Sequence, residues 1–89
     1  MKSRVTRDFR AALAVLPKDV QRKAQSAYQL FLSDPTHPGL QLKLVKPVKQ
    51  IYSVRIGRRY RALGVKYDDV ILWFWIGSHA EYDEVLSQL

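Results

Sequence analysis

Two arginines, a histidine and a tyrosine carry the chemistry that this sequence suggests. Arg55 and Arg61 flank a short turn, and the planar guanidinium group of arginine suits bidentate contact with phosphate. His79 follows a Gly-Ser pair, and its imidazole can transfer protons because it titrates near neutral pH. Tyr82 lies three residues on, which places it on the same side of a helix as His79. Cations beside a proton-transfer group are the minimum equipment for metal-free cleavage of RNA.

The middle of the chain contains no acidic side chain. Between Asp34 and Asp68 there are eight lysines and arginines and no carboxylate. Such a block of positive charge on strands attracts phosphate chains, so we expect nucleic acid as a partner. The alternative is that these cations are solvated strand edges, kept charged to prevent aggregation. Apart from the arginine pair, the residues expected to bind RNA are Lys43, Lys46, Lys49, Arg58, Arg59, Trp73 and Trp75.

Length and composition limit the class of protein. The 89 residues suffice for one domain with a single core, over residues 1–89. The absence of cysteine excludes disulfides and thiolate metal sites, and we expect neither a metal nor a cofactor. No apolar run approaches the roughly 20 residues that span a bilayer, and the N-terminus lacks the apolar stretch of a signal peptide. We therefore expect a cytoplasmic protein with no membrane partner, and nothing in the sequence decides its oligomeric state.

The first third of the sequence predicts two helices. Thr6 is expected to cap a first helix over about residues 6–16, and Pro17 interrupts the helical pattern. A second helix, ending near Ser33, is predicted by the spacing of Val20, Ala24, Ala27, Tyr28 and Phe31. The short break between them predicts an antiparallel hairpin whose apolar face needs a sheet to cover it.

The rest of the chain predicts four strands and a short terminal helix. Alternating patterns occur over residues 40–45, 51–56 and 59–67, and an apolar run over residues 70–76 follows. Turns separate these segments, and Gly77-Ser78 leads into the helix. The predicted fold class is α+β, with an N-terminal antiparallel helical hairpin packed on a four-stranded antiparallel meander sheet and a short C-terminal helix.

Strict alternation assigns the strand side chains to two faces of this sheet. The residues expected to face the helical hairpin are Leu42, Leu44, Val54, Ile56, Leu72 and Phe74. Those expected on the opposite face are Lys43, Ser53, Arg55, Arg59, Arg61, Trp73 and Trp75. A mixture of cations and aromatic rings is typical of grooves that bind single-stranded nucleic acid. A β-bulge would exchange the two faces beyond it.

Two segments carry a resemblance to a known family. Residues 52–63 read Tyr-Ser-Val-Arg-Ile-Gly-Arg-Arg-Tyr-Arg-Ala-Leu, and residues 73–83 read Trp-Phe-Trp-Ile-Gly-Ser-His-Ala-Glu-Tyr-Asp. Together with the helical hairpin and the lysine-bearing first strand, they resemble the RelE/ParE superfamily of bacterial toxins from toxin-antitoxin systems. The resemblance covers nearly the whole chain, in matching order and spacing.

The resemblance implies an mRNA endonuclease that often acts on the ribosome and is inhibited by an antitoxin. In such enzymes the 2′-hydroxyl attacks the adjacent phosphate without a metal, which gives a 2′,3′-cyclic phosphate. Arg55 and Arg61 match the superfamily's arginine positions and would stabilise the transition state. Lys43 would be an auxiliary cation or a proton carrier, His79 would transfer protons, and Tyr82 would stack on a base or orient the phosphate. A basic toxin implies an acidic, partly disordered antitoxin segment.

Other interpretations of these residues stay open. His79 could be a surface or helix-capping residue, and Tyr82 could pack the terminal helix. His37, in a loop between prolines, is better explained by a capping or turn role. Glu81 and Asp83 are expected to be solvated first-turn carboxylates. The strands expected to line the groove offer no carboxylate, so no general base is assigned.

Two alternative functions stay open as well. The gyrase-poisoning branch of the superfamily keeps the fold without a nucleolytic set of residues, so this chain could bind a protein target such as DNA gyrase. It could also be an inactive, RNA-binding relative. The fold alone does not decide among these functions.

Overall fold

A mixed five-stranded sheet forms the centre of the computed structural model, which describes residues 2–89. In chain order the elements are β1 (Lys2–Val5), α1 (Arg7–Ala14), α2 (Lys18–Ser33), a 3-10 turn (Pro38–Leu40), β2 (Lys43–Lys46), β3 (Ile51–Ile56), β4 (Tyr60–Tyr67), β5 (Val70–Ser78) and α3 (His79–Ser87). The strand order in the sheet is β1-β5-β4-β3-β2. No helix among residues 2–89 is long and apolar enough to cross a membrane.

The two N-terminal helices begin where the sequence indicates, but α1 ends at Ala14, before the predicted end near residue 16. The Thr6 side chain accepts a hydrogen bond of 3.0 Å from the Phe9 amide and so caps α1. Pro17 precedes α2, which ends at Ser33. The buried residues of α2, Val20, Ala24 and Phe31, lie on the face that the spacing predicts. Because α1 lies against β5 and α2 against β3, the sheet covers the apolar faces of both helices.

The prediction of a four-stranded antiparallel sheet is wrong, because Lys2–Val5 forms a fifth strand. It pairs parallel to β5, with Lys2 opposite Val70 and Val5 opposite Trp73. The Lys2 amide donates to the carbonyl of Asp69 at 2.8 Å, and the Thr6 amide donates to the carbonyl of Trp73 at 3.0 Å. The sequence did not reveal this strand because four residues with one apolar side chain carry almost no alternation signal.

Helices α1 and α2 pack on one face of the sheet, here called the helix face. Its buried members are Val54, Ile56, Ala62, Ile71, Trp73 and Ile76, which form one core with Phe9, Ala24, Phe31 and Leu40. The prediction that Val54 and Ile56 face the helices is confirmed. The opposite surface, called the arginine face, carries Ser53, Arg55, Arg61, Leu63 and Trp75 by the pairing register.

A β-bulge in β5 exchanges the faces that strict alternation assigns. Leu63 pairs with Trp75, but the next residue, Gly64, pairs with Trp73, so Phe74 has no partner on β4. Before the bulge, Leu72 pairs with Val65 and lies on the arginine face. The prediction that Leu72 and Phe74 point together toward the helices is therefore wrong.

Trp73 also lies on the face opposite to the predicted one. Its ring is 3% exposed and meets the ring of Phe31 edge-on at a centroid distance of 5.3 Å. The indole N–H of Trp73 donates to the Ser3 hydroxyl at 3.0 Å. The prediction that Trp73 shares a face with the cations is wrong, and its burial removes the ring from any surface on which a base could stack.

Replacement of Ser3 by alanine tests the contribution of β1. The variant leaves the buried indole N–H of Trp73 without its acceptor, which costs about 1–3 kcal/mol. We expect urea denaturation to show a loss of that size in the free energy of unfolding. Ser33→Ala removes an exposed hydroxyl that bonds the carbonyl of Leu30, and should cost less than about 0.5 kcal/mol. Equal losses in the two variants would contradict the docking of β1 on Trp73.

Candidate active site

Arg55 and Arg61 lie directly opposite each other on β3 and β4. Arg61 is in turn paired with Gly77 on β5, so Arg55, Arg61 and Gly77 form a row across three strands, here called the arginine row. The hairpin turn between the two arginines contains Gly57 at a φ of 64°, a conformation that a side chain would strain. The register of this tight hairpin brings the two guanidinium groups onto one face.

No carboxylate in the described part of the chain, residues 2–89, forms an ion pair with the arginines of the arginine row. The Arg55 Nε donates to the carbonyl of Gly57 at 2.9 Å, and an Arg61 terminal nitrogen donates to the carbonyl of Tyr60 at 3.0 Å. Both side chains are half-buried, and neither forms an ion pair within residues 2–89. Like charges directly opposite each other on a sheet are destabilising. An anion bound between them would relieve this repulsion, so the arginine row is suited to phosphate.

His79 is held at the same end of the arginine face. Ser78 pairs with Tyr60, and the His79 amide donates to the carbonyl of Arg59 at 2.6 Å, which ties the start of α3 to the start of β4. The imidazole is exposed, and its ring centroid lies 6.0 Å from that of Tyr82. His79 thus directly follows the last residue of β5, and it is two residues beyond Gly77, the partner of Arg61.

Tyr82 connects His79 to the surface of the sheet. Its ring lies 6.5 Å from that of Trp75, which is on the arginine face two residues before Gly77. Because α3 lies against β4 and β5, it covers part of this face and brings Tyr82 onto it. The structure therefore brings Arg55, Arg61, His79 and Tyr82 together at one end of one face.

The start of α3 is stabilised by a capping box. The Ser78 hydroxyl accepts from the Glu81 amide at 3.2 Å, and the Glu81 carboxylate accepts from the Ser78 amide at 3.1 Å and from its hydroxyl at 2.8 Å. These bonds, with the backbone bond the larger cause, lower the pKa of Glu81 from its ordinary value of 4.5. The carboxylate of Glu81 is ionised at neutral pH and engaged as a cap. The Ser-x-x-Glu spacing at residues 78–81 is the sequence signal for this box.

A set of cations extends the arginine face toward the sheet edge. Lys43 pairs with Ser53 and Lys46 pairs with Ile51, and the irregularity between Leu44 and Lys46 lets both lysines lie on this face. Arg58 and Arg59 are exposed in the β3–β4 turn. Lys49 is engaged differently, because its ammonium group donates to the backbone carbonyl of Leu89.

His37 lies outside this cluster. Its Nδ1 accepts a hydrogen bond of 3.0 Å from the Gly39 amide and caps the 3-10 turn. The preference for a capping role at His37 is confirmed.

An open apolar groove of about 580 Å³ lies on the helix face, between α1 and α2. Its floor includes Phe9, Leu13, Tyr28, Phe31 and Trp73, and its rim includes Arg10, Lys18 and Arg22. The sheet separates this groove from the arginine row. The molecule thus has two distinct surfaces, one apolar with a basic rim and one basic with aromatic rings.

Comparison with known proteins identifies the family. A family model described as the ParE-like toxin domain matches residues 18–84. The chain belongs to the ParE-like toxin domain family. The resemblance seen in the sequence is confirmed. No curated protein sequence matches the chain.

Three solved structures of low sequence identity share the fold. The chain is similar to a structure described as the RelB-RelE antitoxin-toxin complex from Methanococcus jannaschii, with 14% identity, a TM-score of 0.74, and coverage of 92% of this chain and 96% of that chain. An archaeal RelE-RelB complex from Pyrococcus horikoshii OT3 gives 18% identity, a TM-score of 0.70 and coverage of 86% and 92%. YafQ from E. coli strain BL21(DE3) gives 10% identity, a TM-score of 0.71 and coverage of 91% and 96%.

Stability at different pH values tests the capping box of this ParE-like domain. Ser78→Ala should lower the free energy of unfolding by about 1 kcal/mol at pH 7. Because the folded pKa of Glu81 is lowered, its contribution is fully present above 4.5 and is lost as the pH falls through the folded value. Glu81→Gln should therefore be less stable than the wild type at pH 7, with the difference shrinking as the solution is acidified.

Glu84→Gln is the matched control, because its carboxylate lies further along α3 and does not cap it. Denaturant unfolding of the wild type and the three variants at several pH values measures the effect. A stability difference for Glu81→Gln that is constant across the acid range would contradict the capping role.

Proposed function

We propose that this ParE-like toxin domain is a metal-independent endoribonuclease that cleaves mRNA, in association with the ribosome. The 2′-oxygen attacks the adjacent phosphorus as its proton leaves, and the bond from phosphorus to the 5′-oxygen breaks as that oxygen gains a proton. The products are a 2′,3′-cyclic phosphate and a free 5′-hydroxyl. The observation that carries the proposal is the cross-strand pair Arg55 and Arg61, which has no counter-charge among residues 2–89 and lies at the same end of one face as His79.

Each side chain of the cluster has a role in this reaction. Arg55 and Arg61 neutralise the charge that develops on the pentacoordinate phosphorus, which fixed cations do without reorganisation. His79 transfers a proton, because its exposed imidazole lies at the same end of the arginine face and can reach a bound RNA backbone. Tyr82, beside His79, orients the nucleotide at the scissile bond. Glu81 has no part in proton transfer, since its carboxylate already caps α3.

The cations toward the sheet edge extend the binding surface for RNA. Lys43 and Lys46 share the arginine face, and Arg58 and Arg59 border the arginine row. Phosphates flanking the scissile bond would contact these side chains, with Lys43 as an auxiliary cation. Lys49 contributes to the same field, although its ammonium group is bonded to Leu89.

A gyrase-binding function is not favoured by these observations. Docking to a protein target would not require two unpaired guanidinium groups beside an exposed imidazole, whereas phosphoryl transfer uses both. The solved structures of similar fold described above are RelE and YafQ toxins, which agrees with the nuclease proposal at the level of the fold.

An acidic antitoxin protein is the proposed inhibitor. Two of the similar structures are complexes of a RelE toxin with a RelB antitoxin. In this chain the apolar groove between α1 and α2 has a basic rim at Arg10, Lys18 and Arg22, which complements an amphipathic segment with acidic side chains. A second acidic stretch of the antitoxin would cover the arginine face and exclude RNA.

Cleavage assays on single variants test the enzymatic proposal. Arg55→Ala, Arg61→Ala and His79→Ala should each reduce cleavage by about 100-fold or more, since removal of a proton-transfer group or of a transition-state donor has effects of that order. The assay incubates purified protein with translating ribosomes, maps the new RNA ends and identifies the cyclic phosphate chemically.

Lys66→Ala serves as the control. Like Arg61, Lys66 is a cation of β4, but it pairs with Ile71 and lies on the helix face, away from the arginine row. It should cleave as the wild type does. Wild-type protein that is folded but leaves the RNA of translating ribosomes intact would refute the proposal.

Co-purification tests the antitoxin proposal. The product of the adjacent reading frame should bind this protein, block cleavage, and dissociate more readily at high salt because its charges complement the basic surface. Leu13→Glu, which places a carboxylate in the apolar groove, should weaken this complex while the free toxin still cleaves RNA. Full inhibition of Leu13→Glu by the same protein would show that the groove is not the docking site.

A further inference from the structure

The two tryptophans of β5 differ in what their indole N–H groups bind. The N–H of Trp73 is buried and donates to Ser3. The N–H of Trp75 has no hydrogen-bond partner among residues 2–89, and it is not buried, since that part of the chain has no buried polar side-chain atom without a partner. Trp75 therefore presents a free donor to solvent, on a half-buried ring at the arginine face.

Gly77 sets the position of the Trp75 ring. A Cβ atom at Gly77 would lie 2.5 Å from Cζ2 and 2.9 Å from Cη2 of Trp75, which is far inside van der Waals contact. The benzo edge of the indole thus occupies the space that a side chain at residue 77 would fill. Because Gly77 pairs with Arg61, the glycine leaves room for an aromatic edge within the arginine row.

A glycine also makes room for a tryptophan ring on the helix face, but that ring is buried. Gly64 pairs with Trp73, and a Cβ atom there would lie 2.7 Å from Cε3 of that ring. Trp73 is sealed into the core by Phe31, whereas Trp75 is bordered by Tyr82 and stays half-buried. Gly64 therefore makes room for a ring that is packed in the core. Gly77 makes room for a ring at the surface, whose indole N–H has no hydrogen-bond partner among residues 2–89.

We propose that Trp75, held in place by Gly77, binds the base of the nucleotide beside the scissile phosphate and sets the base preference of the toxin. This inference rests on the proposed function, because it places the phosphate on Arg55 and Arg61. A base next to that phosphate packs against the indole, and an acceptor atom on the base takes the free N–H. Gly77 is a positioning residue, since it acts only through the ring of Trp75.

The chemistry of the site fits a nucleotide better than a simple anion. A phosphate alone would be satisfied by the guanidinium groups, and it would leave the free N–H and the exposed part of the Trp75 indole without a ligand. Stacking of a base on an aromatic side chain contributes about 1–3 kcal/mol, and hydrogen bonding to the base edge adds discrimination. The four bases differ in their acceptor atoms, so an indole donor distinguishes among them.

Binding of short 2′-O-methyl homo-oligomers of A, C, G and U tests the inference, because these RNAs cannot undergo 2′-hydroxyl attack. We expect wild-type protein to bind the four oligomers with unequal affinities and with quenching of tryptophan fluorescence. Trp75→Phe keeps an aromatic ring but loses the N–H donor. It should lower the affinity for the preferred oligomer by about 10-fold and reduce the differences in affinity among the four oligomers. It should also abolish most of the fluorescence quenching.

Gly77→Ala tests whether the position of the Trp75 ring matters, because it leaves Trp75 itself unchanged. It keeps Trp75 but displaces the indole, so it should also narrow the base preference. Gly64→Ala is the matched control, because it displaces the buried Trp73; we expect lower stability and an unchanged base preference. If Gly77→Ala does not fold, Trp75→Phe decides the outcome. Wild-type protein without base preference, or Trp75→Phe that binds all four oligomers as the wild type does, would overturn the inference.

An assay of cleavage on unmodified RNA distinguishes failure of the base-binding inference from failure of the proposed nuclease function. Wild-type protein that cleaves RNA, with the same cut sites in Trp75→Phe, would overturn the base-binding role and leave the nuclease intact. A base preference that depends on Trp75 in a protein that cleaves nothing would support the inference and refute the nuclease.

Discussion

Electrostatic repulsion between two guanidinium groups is the constraint around which this structure is arranged. The β3–β4 register places Arg55 opposite Arg61, and no carboxylate pairs with either side chain in the part of the chain that the structure describes. Such a cross-strand pair of like charges weakens a sheet by a few tenths of a kcal/mol to about 1 kcal/mol. The tight turn at Gly57 and the burial of Val54, Ile56 and Ala62 on the other face hold the pair in place. The stability of the core thus maintains a local arrangement that is unfavourable in the free protein.

The bulge at Phe74 gives the two faces of the sheet different side chains. Without it, Trp73 and Trp75 would share a face, because side chains two residues apart on a regular strand point the same way. With it, Trp73 fills the core against Phe31 and Trp75 lies beside the arginine row. One irregularity in the ladder therefore supplies a large ring to the core and another to the candidate active site. Bulges commonly re-aim side chains next to active sites in this way.

Attachment of α3 completes the site from the far end of β5. The capping box at Ser78 and Glu81 fixes where the helix begins, and the bond from the His79 amide to the carbonyl of Arg59 fixes where it lies. These local interactions place His79 and Tyr82 beside residues that are distant in sequence. The result is a basic surface with aromatic rings on the arginine face and an apolar groove on the helix face, so the two surfaces lie on different sides of one small sheet.

The sequence by itself determined the helices, the β3–β4 hairpin, the family and the residues with the chemistry for phosphate binding. Thr6, Pro17 and Gly57 set a helix cap, a helix start and a turn through residues next to them in the chain. Such local interactions can be recognised from the sequence because they need no distant partner. The prediction that Arg55, Arg61, His79 and Tyr82 share one surface followed from the order of strands and turns. The register places Arg55 opposite Arg61 and Arg61 opposite Gly77, and the rings of His79 and Tyr82 lie 6.0 Å apart beyond that strand end. The role of each of them in cleavage stays a prediction.

Only the tertiary structure decided the fifth strand, the faces of Leu72, Trp73 and Phe74, and the space that Gly77 leaves for Trp75. Each depends on a partner far away in the chain. β1 is a strand only because β5 offers it hydrogen bonds, and the bulge exists only relative to the register of β4. Periodicity along one strand contains no information about where its neighbour slips by a residue, and that slip determines which tryptophan reaches the solvent.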